Sequence, residues 1–198
     1  MLTGVLHRLA ARPWVYDQVQ NLAGAKRVVE KLSQGIAPLS AKVVVDIGGG
    51  TGTAGNLFAP DCRYICLDVE LPKLMGFRSR FPSGLAVLGD ATSMPMIDCC
   101  ADMVICKSVT HHLTDLMLAR TLDESRRVLR AGGHVILLDA VINRQRLAGR
   151  MLWRLDRGSY PRTEEDLRER LESRFKIIHW EKFAIYHEYV FGIGVREL

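Results

Sequence analysis

A run of apolar residues leads directly into a glycine-rich stretch in VVVDIGGGTG, residues 43–52. The three valines and the isoleucine favour a buried β-strand, because branched side chains pack well on a pleated surface. Four of the five residues from 48 to 52 are glycines, which adopt backbone angles closed to other residues and let a ligand approach the backbone. The stretch therefore predicts a buried strand that ends in a ligand-binding loop.

The chain after this strand alternates apolar runs with helical patterns. Thr114 is a candidate N-cap for a helix, and Gly132-Gly133 is the candidate end of that helix. Strands that alternate with helices predict right-handed βαβ units and a mainly parallel sheet. We predict strands at 43–47, 63–68, 85–90, 101–107 and 134–139, and helices at 53–58, 71–80 and 114–130.

The end of the chain departs from this alternation. A predicted helix at 163–172 is followed by apolar segments at 175–186 and 188–195, with only a short link between them. Such close strands pair antiparallel, because a parallel return needs a crossover of about a dozen residues or more. We therefore predict one α/β domain over residues 1–198, with a seven-stranded, mostly parallel sheet, a C-terminal antiparallel hairpin and helices on both faces. Residues 1–40 are expected to form an N-terminal helical segment.

Composition and charge restrict the possible partners only weakly. The 198-residue chain has a net charge of +5, which suits an anionic ligand or nucleic acid without requiring either. No apolar run approaches the roughly 20 residues that span a bilayer, and the N-terminus lacks a signal-peptide pattern. The five cysteines form no CxxC pair and accompany no histidine cluster at zinc spacing. We therefore expect a cytoplasmic protein with free thiols, no metal and no membrane span.

The glycine loop fits two ligand-binding patterns. The motif GxGxxG at residues 50–55 matches the dinucleotide fingerprint, with Asp68 at a suitable distance for a ribose. The motif DxGxGxG at residues 46–52 matches the loop of class I S-adenosylmethionine-dependent methyltransferases. The second frame begins where the strand ends and also accounts for the acidic residue inside the strand.

Later segments resemble the same methyltransferase family in the expected order. They are GDATSMP at 89–95, ADMVICKSVTHHLTD at 101–115 and RVLRAGGHVILLD at 127–139, where Ala131 replaces the usual proline. The antiparallel final hairpin is also typical of this family and not of a dinucleotide dehydrogenase. Residues 40–198 thus resemble a small single-domain bacterial class I methyltransferase. The resemblance implies a Rossmann-like fold, S-adenosylmethionine (SAM) as cofactor, S-adenosylhomocysteine (SAH) as product, and methyl transfer as the activity.

The resemblance also implies which residues bind the cofactor. Asp68, which closes the second strand, would hold both ribose hydroxyls through its two carboxylate oxygens. Asp90 and the backbone after it would contact the adenine, Lys107 would place its backbone near the amino-acid tail, and Tyr16 would close over the methionine end. Asp68 could instead be a strand-end cap, and Asp90 could initiate a turn with Thr92. The implied set is Asp46, Gly48, Gly50, Gly52, Asp68, Val69, Asp90, Ala91, Lys107 and Tyr16.

Candidate catalytic residues follow the fourth and fifth strands. His111 and His112 come after the fourth strand, and histidine titrates near neutrality, so either could act as a general base. Asp139 ends the fifth strand and faces the same crevice by topology. In the alternative interpretation, one histidine packs or caps the next helix and Asp139 forms a loop hydrogen bond. A base is required only if the methyl acceptor is protonated.

The segment between the fifth strand and the last helix, residues 140–163, is the candidate substrate lid. It is rich in arginine, which suits carboxylate or phosphate, and its aromatic residues could stack on a ring. We predict a small-molecule acceptor, anionic or polar-aromatic, bound by Arg157, Tyr160 and Arg162. The alternative is that the arginines form a solvated helical face.

Two missing patterns bear on the class of acceptor. The fourth strand ends in CKSVTHH and not in an N/D-P-P-Y/F tetrad, which disfavours the exocyclic-amine methyltransferases that act on adenine or glutamine. The sequence contains no basic tract interleaved with aromatic residues, which disfavours nucleic acid as a partner. An RNA methyltransferase and a non-catalytic SAM-binding protein of the same fold are the alternative hypotheses.

Overall fold

The computed structural model describes residues 25–142, 160–185 and 187–198. Its helices are α1 (Ala25–Ile36), α2 (Leu71–Arg80), α3 (Asp115–Val128) and α4 (Glu164–Glu172). Its strands are β1 (Val43–Ile47), β2 (Arg63–Asp68), β3 (Leu85–Leu88), β4 (Ala101–Lys107), β5 (Leu129–Val141), β6 (Lys176–Ala184) and β7 (Glu188–Val195). Short 3-10 turns follow β1, at Gly55–Leu57, and β4, at Thr110–His112.

The seven strands form one sheet in the order β3-β2-β1-β4-β5-β7-β6. β1 to β5 run parallel, and β7 lies antiparallel between β5 and β6. The predicted mostly parallel sheet with a C-terminal antiparallel hairpin is therefore confirmed. From β1 the strand order runs in one direction through β2 and β3, and in the opposite direction through β4 and β5. The strand order therefore reverses between β1 and β4, and parallel α/β sheets bind ligands in the crevice at the carboxyl ends of such strands.

Helices cover both faces of the sheet, as predicted. Leu118 of α3 and Leu167 of α4 belong to a buried cluster on one face. Leu32 of α1 and Phe77 of α2 belong to a second cluster on the other face. Full burial of one such side chain contributes about 1.5–3 kcal/mol, so the two clusters fix the sheet that carries the crevice.

Threonine side chains cap the helices that flank the crevice. The Thr114 hydroxyl accepts a hydrogen bond from Met117 N at the start of α3, and the Thr163 hydroxyl accepts one from Asp166 N at the start of α4. These caps satisfy backbone N–H groups that have no partner within the helix. The predicted start of each helix is confirmed.

The predicted helix at 53–58 is wrong, because only the 3-10 turn Gly55–Leu57 forms there. Glycine costs about 1 kcal/mol in a helix, and a Cβ at Gly55 would lie 2.9 Å from the Phe81 ring. The predicted end of α3 at Gly132-Gly133 is also wrong. α3 ends at Val128, and β5 begins at the next residue, where Leu129 pairs with Ala101.

The described part of the N-terminal segment is α1, and residues 1–24 lie outside the described residues. Across the described part of the chain, no helix combines the length and the apolar character needed to cross a membrane.

Candidate active site

The loops that follow β1 and β4 are hydrogen-bonded to the neighbouring strands β2 and β5 at the crevice. Gly49 N, after β1, donates a hydrogen bond to Leu67 O of β2. Ser108 N, after β4, donates one to Leu138 O of β5, and Ser108 has a φ of +56°, a left-handed conformation that is rare for a residue with a side chain. The backbone itself therefore joins the carboxyl ends of β1 with β2 and of β4 with β5.

The glycine loop after β1, residues 48–52, requires glycine for its backbone angles. Gly48, Gly50 and Gly52 have φ values of +60°, +57° and +77°. A Cβ at Gly50 would make only ordinary van der Waals contacts, the nearest with Lys73 Cδ at 3.7 Å, so the protein does not crowd this position. Backbone conformation, and not crowding, therefore explains this glycine, and the missing side chain lets a ligand approach the backbone.

Asp68 joins this loop to the end of β2. Its Oδ2 accepts a hydrogen bond from Gly50 N at 3.0 Å, and its Oδ1 accepts one from Glu70 N at 2.8 Å. The side chain is buried. An ionised carboxylate offers about four acceptor positions, so these two bonds leave acceptor capacity for ligand hydroxyls. The strand-end cap expected as an alternative is present and is compatible with ligand binding.

Asp46 lies inside β1, directly under the glycine loop. Its Oδ2 accepts a hydrogen bond from the Tyr64 hydroxyl of β2, and its buried Oδ1 has no hydrogen-bond partner among the described residues. A Cβ at Gly49 would lie 2.8 Å from Asp46 Oδ2 and 2.8 Å from Cys66 Sγ. The loop therefore packs directly on the Asp46 and Cys66 side chains.

Burial raises the pKa of Asp46 to about 6, although the positive charge of Lys107 and the hydrogen bond from Tyr64 oppose this shift. The negative charge of Asp68 adds to the increase. Sequence reasoning did not find Tyr64, and a tyrosine in a buried strand carries no signal that would have identified it. The glycine loop thus rests on a carboxyl group that titrates slightly below neutral pH.

Asp139 binds the loop that follows β4. Its Oδ2 accepts hydrogen bonds from Val109 N at 3.1 Å, from Thr110 N at 2.6 Å and from the Thr110 hydroxyl at 2.6 Å. Its Oδ1 accepts one from Ala140 N at 2.8 Å and lies 2.6 Å from His111 Nδ1. The side chain is fully buried. The structure therefore brings together His111 and Asp139, which were predicted as separate candidates.

Electrostatics favour the ionised form of Asp139. Burial alone would raise the pKa of this carboxyl group, but the charge of His111 and the hydrogen bonds from His111, Thr110 and Ala140 N outweigh burial and lower it. His111 is buried, whereas the adjacent His112 is exposed, with the two ring centroids 4.2 Å apart. Of the two histidines, His111 is the one seen bonded to Asp139.

The predicted adenine-binding segment forms a turn at the surface. Asp90 Oδ1 accepts a hydrogen bond from Thr92 N at 2.8 Å, which is the turn expected as the alternative role. Val69 is exposed beside Asp68, Ala91 follows Asp90 in the turn, and Lys107 is half-buried at the end of β4. Val69, Asp90 and Ala91 follow strands that end at the crevice, and Lys107 ends one of them. The assignment of these four residues to the cofactor stays a prediction.

Two of the predicted substrate residues lie against the loop after β4. Tyr160 N donates a hydrogen bond to His111 O at 3.0 Å, and the Tyr160 side chain is exposed. Arg162 is buried, and its guanidinium donates to Thr110 O and Leu113 O. Tyr16, Arg157 and the rest of the candidate lid from 143 to 159 lie outside the described residues.

Comparison with known proteins agrees with this geometry. A model of the methyltransferase domain family matches residues 45–137, from β1 to β5. A ubiquinone/menaquinone biosynthesis C-methyltransferase of Paracoccus denitrificans is 31% identical over 151 residues, which cover 70% of this chain and 58% of that protein. The norreticuline-7-O-methyltransferase of Papaver somniferum is 31% identical over 104 residues, which cover 52% of this chain and 28% of that protein. The chain thus spans only part of the length of these relatives.

A solved structure shares the fold over almost the whole chain. The N-methyltransferase NodS of Bradyrhizobium japonicum, in complex with SAH, superposes with a TM-score of 0.76 at 15% identity. The match covers 98% of this chain and 97% of that protein. The chain is therefore similar in sequence to methyltransferases over residues 45–137, and it shares the fold of a class I S-adenosylmethionine-dependent methyltransferase.

The residues at the crevice fit the cofactor that this family implies. Gly50 leaves the backbone of the loop free of a side chain, and the adjoining Asp68 retains acceptor capacity for the hydroxyls of a ribose. The unpaired Oδ1 of Asp46 places negative charge beneath the same loop, which suits a methyl donor with a sulfonium and an ammonium group. Among the described residues, no group of three or more His, Cys, Asp or Glu side chains could hold a metal ion.

Proposed function

We propose that this chain transfers a methyl group from SAM to a small-molecule acceptor. The hydrogen bond from Gly50 N to Asp68 Oδ2 carries the proposal, because it joins the two elements that a class I methyltransferase needs for SAM. The Asp139–His111 pair at the adjacent strand ends supplies a candidate proton acceptor. The resemblance of the sequence motifs supports the same assignment.

Binding and orientation are the main tasks of the protein in this reaction. When bound, SAM supplies a methyl group on a sulfonium, and its sulfur keeps the bonding electrons in the product SAH. The glycine loop and Asp68 hold the cofactor, while the loop after β4 faces the acceptor. Alignment of a nucleophile with the methyl group can lower the barrier by about 7–11 kcal/mol.

His111 is the proposed general base for an acceptor that carries a proton. Its Nδ1–H donates to the ionised Asp139, so the neutral ring has its lone pair on Nε2. Nε2 would take the proton from the acceptor as the new bond to the methyl carbon forms, and Asp139 would stabilise the resulting imidazolium. Asp139 therefore acts through His111, and His112 is not required as a base.

The acceptor is proposed to be anionic or polar-aromatic, with the exposed Tyr160 side chain available to contact it. The names of the compared proteins cover transfer to carbon, to oxygen and to nitrogen. This range leaves the acceptor atom open for the present chain. Arg157, which lies outside the described residues, stays a proposed contact to the acceptor.

A turnover assay tests the proposal. Purified protein is incubated with SAM and a panel of small-molecule phenols, carboxylates and amines, with total RNA as a separate arm, and SAH is quantified. Formation of SAH with one small molecule supports the proposal, whereas turnover only with RNA would favour an RNA methyltransferase. SAM binding without turnover on any acceptor would favour a non-catalytic SAM-binding protein.

A pair of neighbouring variants tests the role of His111. We expect His111→Ala to lower kcat by about 10²-fold or more if the acceptor is protonated, since general-base catalysis contributes about that much. The matched control His112→Ala, one residue away but exposed, should retain kcat within a few fold. Equal losses in the two variants would remove His111 from its proposed role.

A further inference from the structure

Arg162 has a buried guanidinium, with only 6% of the residue exposed. Nη1 donates to Thr110 O at 2.6 Å and to Tyr160 O at 3.2 Å. Nη2 donates to Leu113 O at 2.7 Å and to Asp115 Oδ1 at 2.8 Å. These contacts direct the guanidinium toward the loop after β4, and the side chain is buried away from solvent.

The loop from Val109 to Leu113 lies between two buried charges of opposite sign. Its backbone N–H groups at Val109 and Thr110 donate to Asp139. Its carbonyl groups at Thr110 and Leu113 accept from Arg162. A carboxylate suits N–H donors and a guanidinium suits carbonyl acceptors, so the two side chains hold opposite polar groups of one loop. His111 lies in the middle of that loop.

Acidic side chains on two helices compensate the charge of Arg162. Asp115 at the start of α3 accepts from Nη2, and this hydrogen bond, with the charge of Arg170, lowers the pKa of Asp115. Asp166 of α4 places its Oδ2 3.5 Å from Arg162 Nε. A buried cation is retained at acceptable cost only when it is paired in this way. Arg162 therefore connects α3, α4 and the His111 loop.

We propose that Arg162 is a positioning residue for methyl transfer: by fixing the carbonyls of Thr110 and Leu113, it keeps the His111 ring on Asp139. This inference rests on the proposed function for the catalytic purpose of His111. It replaces the expectation, drawn from the sequence, that Arg162 binds the acceptor. A role in binding the acceptor and a role in positioning His111 predict different changes in KM and kcat.

The first test observes His111 directly. In protein labelled with ¹⁵N-histidine, the Nδ1–H proton bonded to Asp139 is followed by NMR through its exchange with water. Arg162→Gln should accelerate this exchange about tenfold or more while SAM affinity stays within about twofold. The control is Arg168→Gln, since Arg168 is exposed on α4 and pairs with Glu172 on the same helix. An unchanged exchange rate in folded Arg162→Gln would overturn the inference.

A milder variant protects the test against misfolding. Asp115 is exposed, so Asp115→Asn should fold while it removes a charged partner of Arg162. We expect faster exchange of the His111 proton in this variant as well. If Arg162→Gln does not fold, an unchanged exchange rate in Asp115→Asn overturns the inference.

Chemical rescue gives a further test. Addition of guanidinium ions to Arg162→Ala should partly restore the slow exchange of the His111 proton.

Kinetics then separate positioning from substrate binding. With an acceptor in hand, Arg162→Gln should lower kcat about tenfold or more and leave the KM of the acceptor within about twofold. A raised KM at unchanged kcat would assign Arg162 to the acceptor instead. Failure of the wild-type protein to bind SAM would overturn the proposed function, whereas the NMR result tests the contact between Arg162 and the His111 loop by itself.

Discussion

The Tyr64 hydroxyl donates a hydrogen bond to Asp46 Oδ2 beneath the glycine loop, although the two residues are 18 positions apart in the chain. β1 and β2 pair in a register that aligns Asp46 with Cys66, and Tyr64 lies two residues before Cys66 on the same face. The charged groups near Asp46 are Lys107 of β4 and Asp68 of β2. The pair therefore links the protonation of a buried carboxyl group to the loop that is proposed to bind SAM.

Cofactor affinity should depend on the ionisation of Asp46. Its pKa of about 6 leaves it ionised at pH 7 and above, where its charge favours the cationic SAM. We expect calorimetric titrations to show weaker binding below about pH 6. Tyr64→Phe removes a hydrogen bond that lowers this pKa, so the midpoint should move to higher pH. In Asp46→Asn the affinity should be lower and nearly independent of pH. The same midpoint in wild type and Tyr64→Phe would contradict this account.

Asp46 should also make the free energy of unfolding depend on pH, in the direction opposite to that of SAM affinity. Its folded-state pKa is raised from 3.8 to about 6, so between these values the folded protein binds the proton more tightly than the unfolded chain. The contribution of Asp46 to stability is fully present below about pH 4 and is lost as pH rises through about 6. A pKa difference of about two units corresponds to a change of about 3 kcal/mol in the free energy of unfolding. Urea unfolding from about pH 4 to 8 should show this loss in wild type but not in Asp46→Asn, and parallel curves would contradict it.

Alanine variants of two glycines with similar φ angles distinguish backbone strain from loss of cofactor binding. Gly50 and Gly132 have φ values of +57° and +74°, and a Cβ at Gly132 would meet no atom within 4 Å. Gly50→Ala and Gly132→Ala should each lower the free energy of unfolding by about 1–2 kcal/mol. Only Gly50→Ala should also weaken SAM binding, by about tenfold or more, because its side chain enters the ligand space. Equal SAM affinities in the two variants would assign the loop to structure alone.

Most of the sheet could be predicted because each strand leaves a local pattern. The apolar runs gave β1, β2 and β4 with the bounds that the structure shows, and the short link before β7 required an antiparallel pair. The start of β5 could not be predicted, because a pairing of Leu129 with Ala101 and a turn at Gly132 depend on the neighbouring strands. The 3-10 turn at 55–57 likewise depends on crowding by Phe81.

The site was predictable as a set of residues but not as a network. Asp68 ends β2 as predicted, whereas Asp139, predicted at the end of the fifth strand, lies two residues before the end of β5 because the pairing with β7 continues to Val141. Their partners could not be predicted, because the register of β4 with β5 brings His111 onto Asp139 across 28 residues. Arg162 is buried because α3, α4 and the loop after β4 pack around it. Its position after Pro161 in the sequence does not indicate this burial. Side-chain roles that arise between distant segments therefore needed the structure.

Calorimetric titration of SAM into wild type and Asp68→Ala tests the central claim most directly. The variant should lose charge-assisted hydrogen bonds of about 1.5–3 kcal/mol, which corresponds to at least about tenfold weaker binding. Asp61→Ala, which changes an exposed carboxylate just before β2, is the matched control and should bind as wild type does. NAD should not displace SAM. Affinity in a folded Asp68→Ala equal to that of wild type, or displacement of SAM by NAD at comparable concentration, would contradict the assignment of this crevice to SAM.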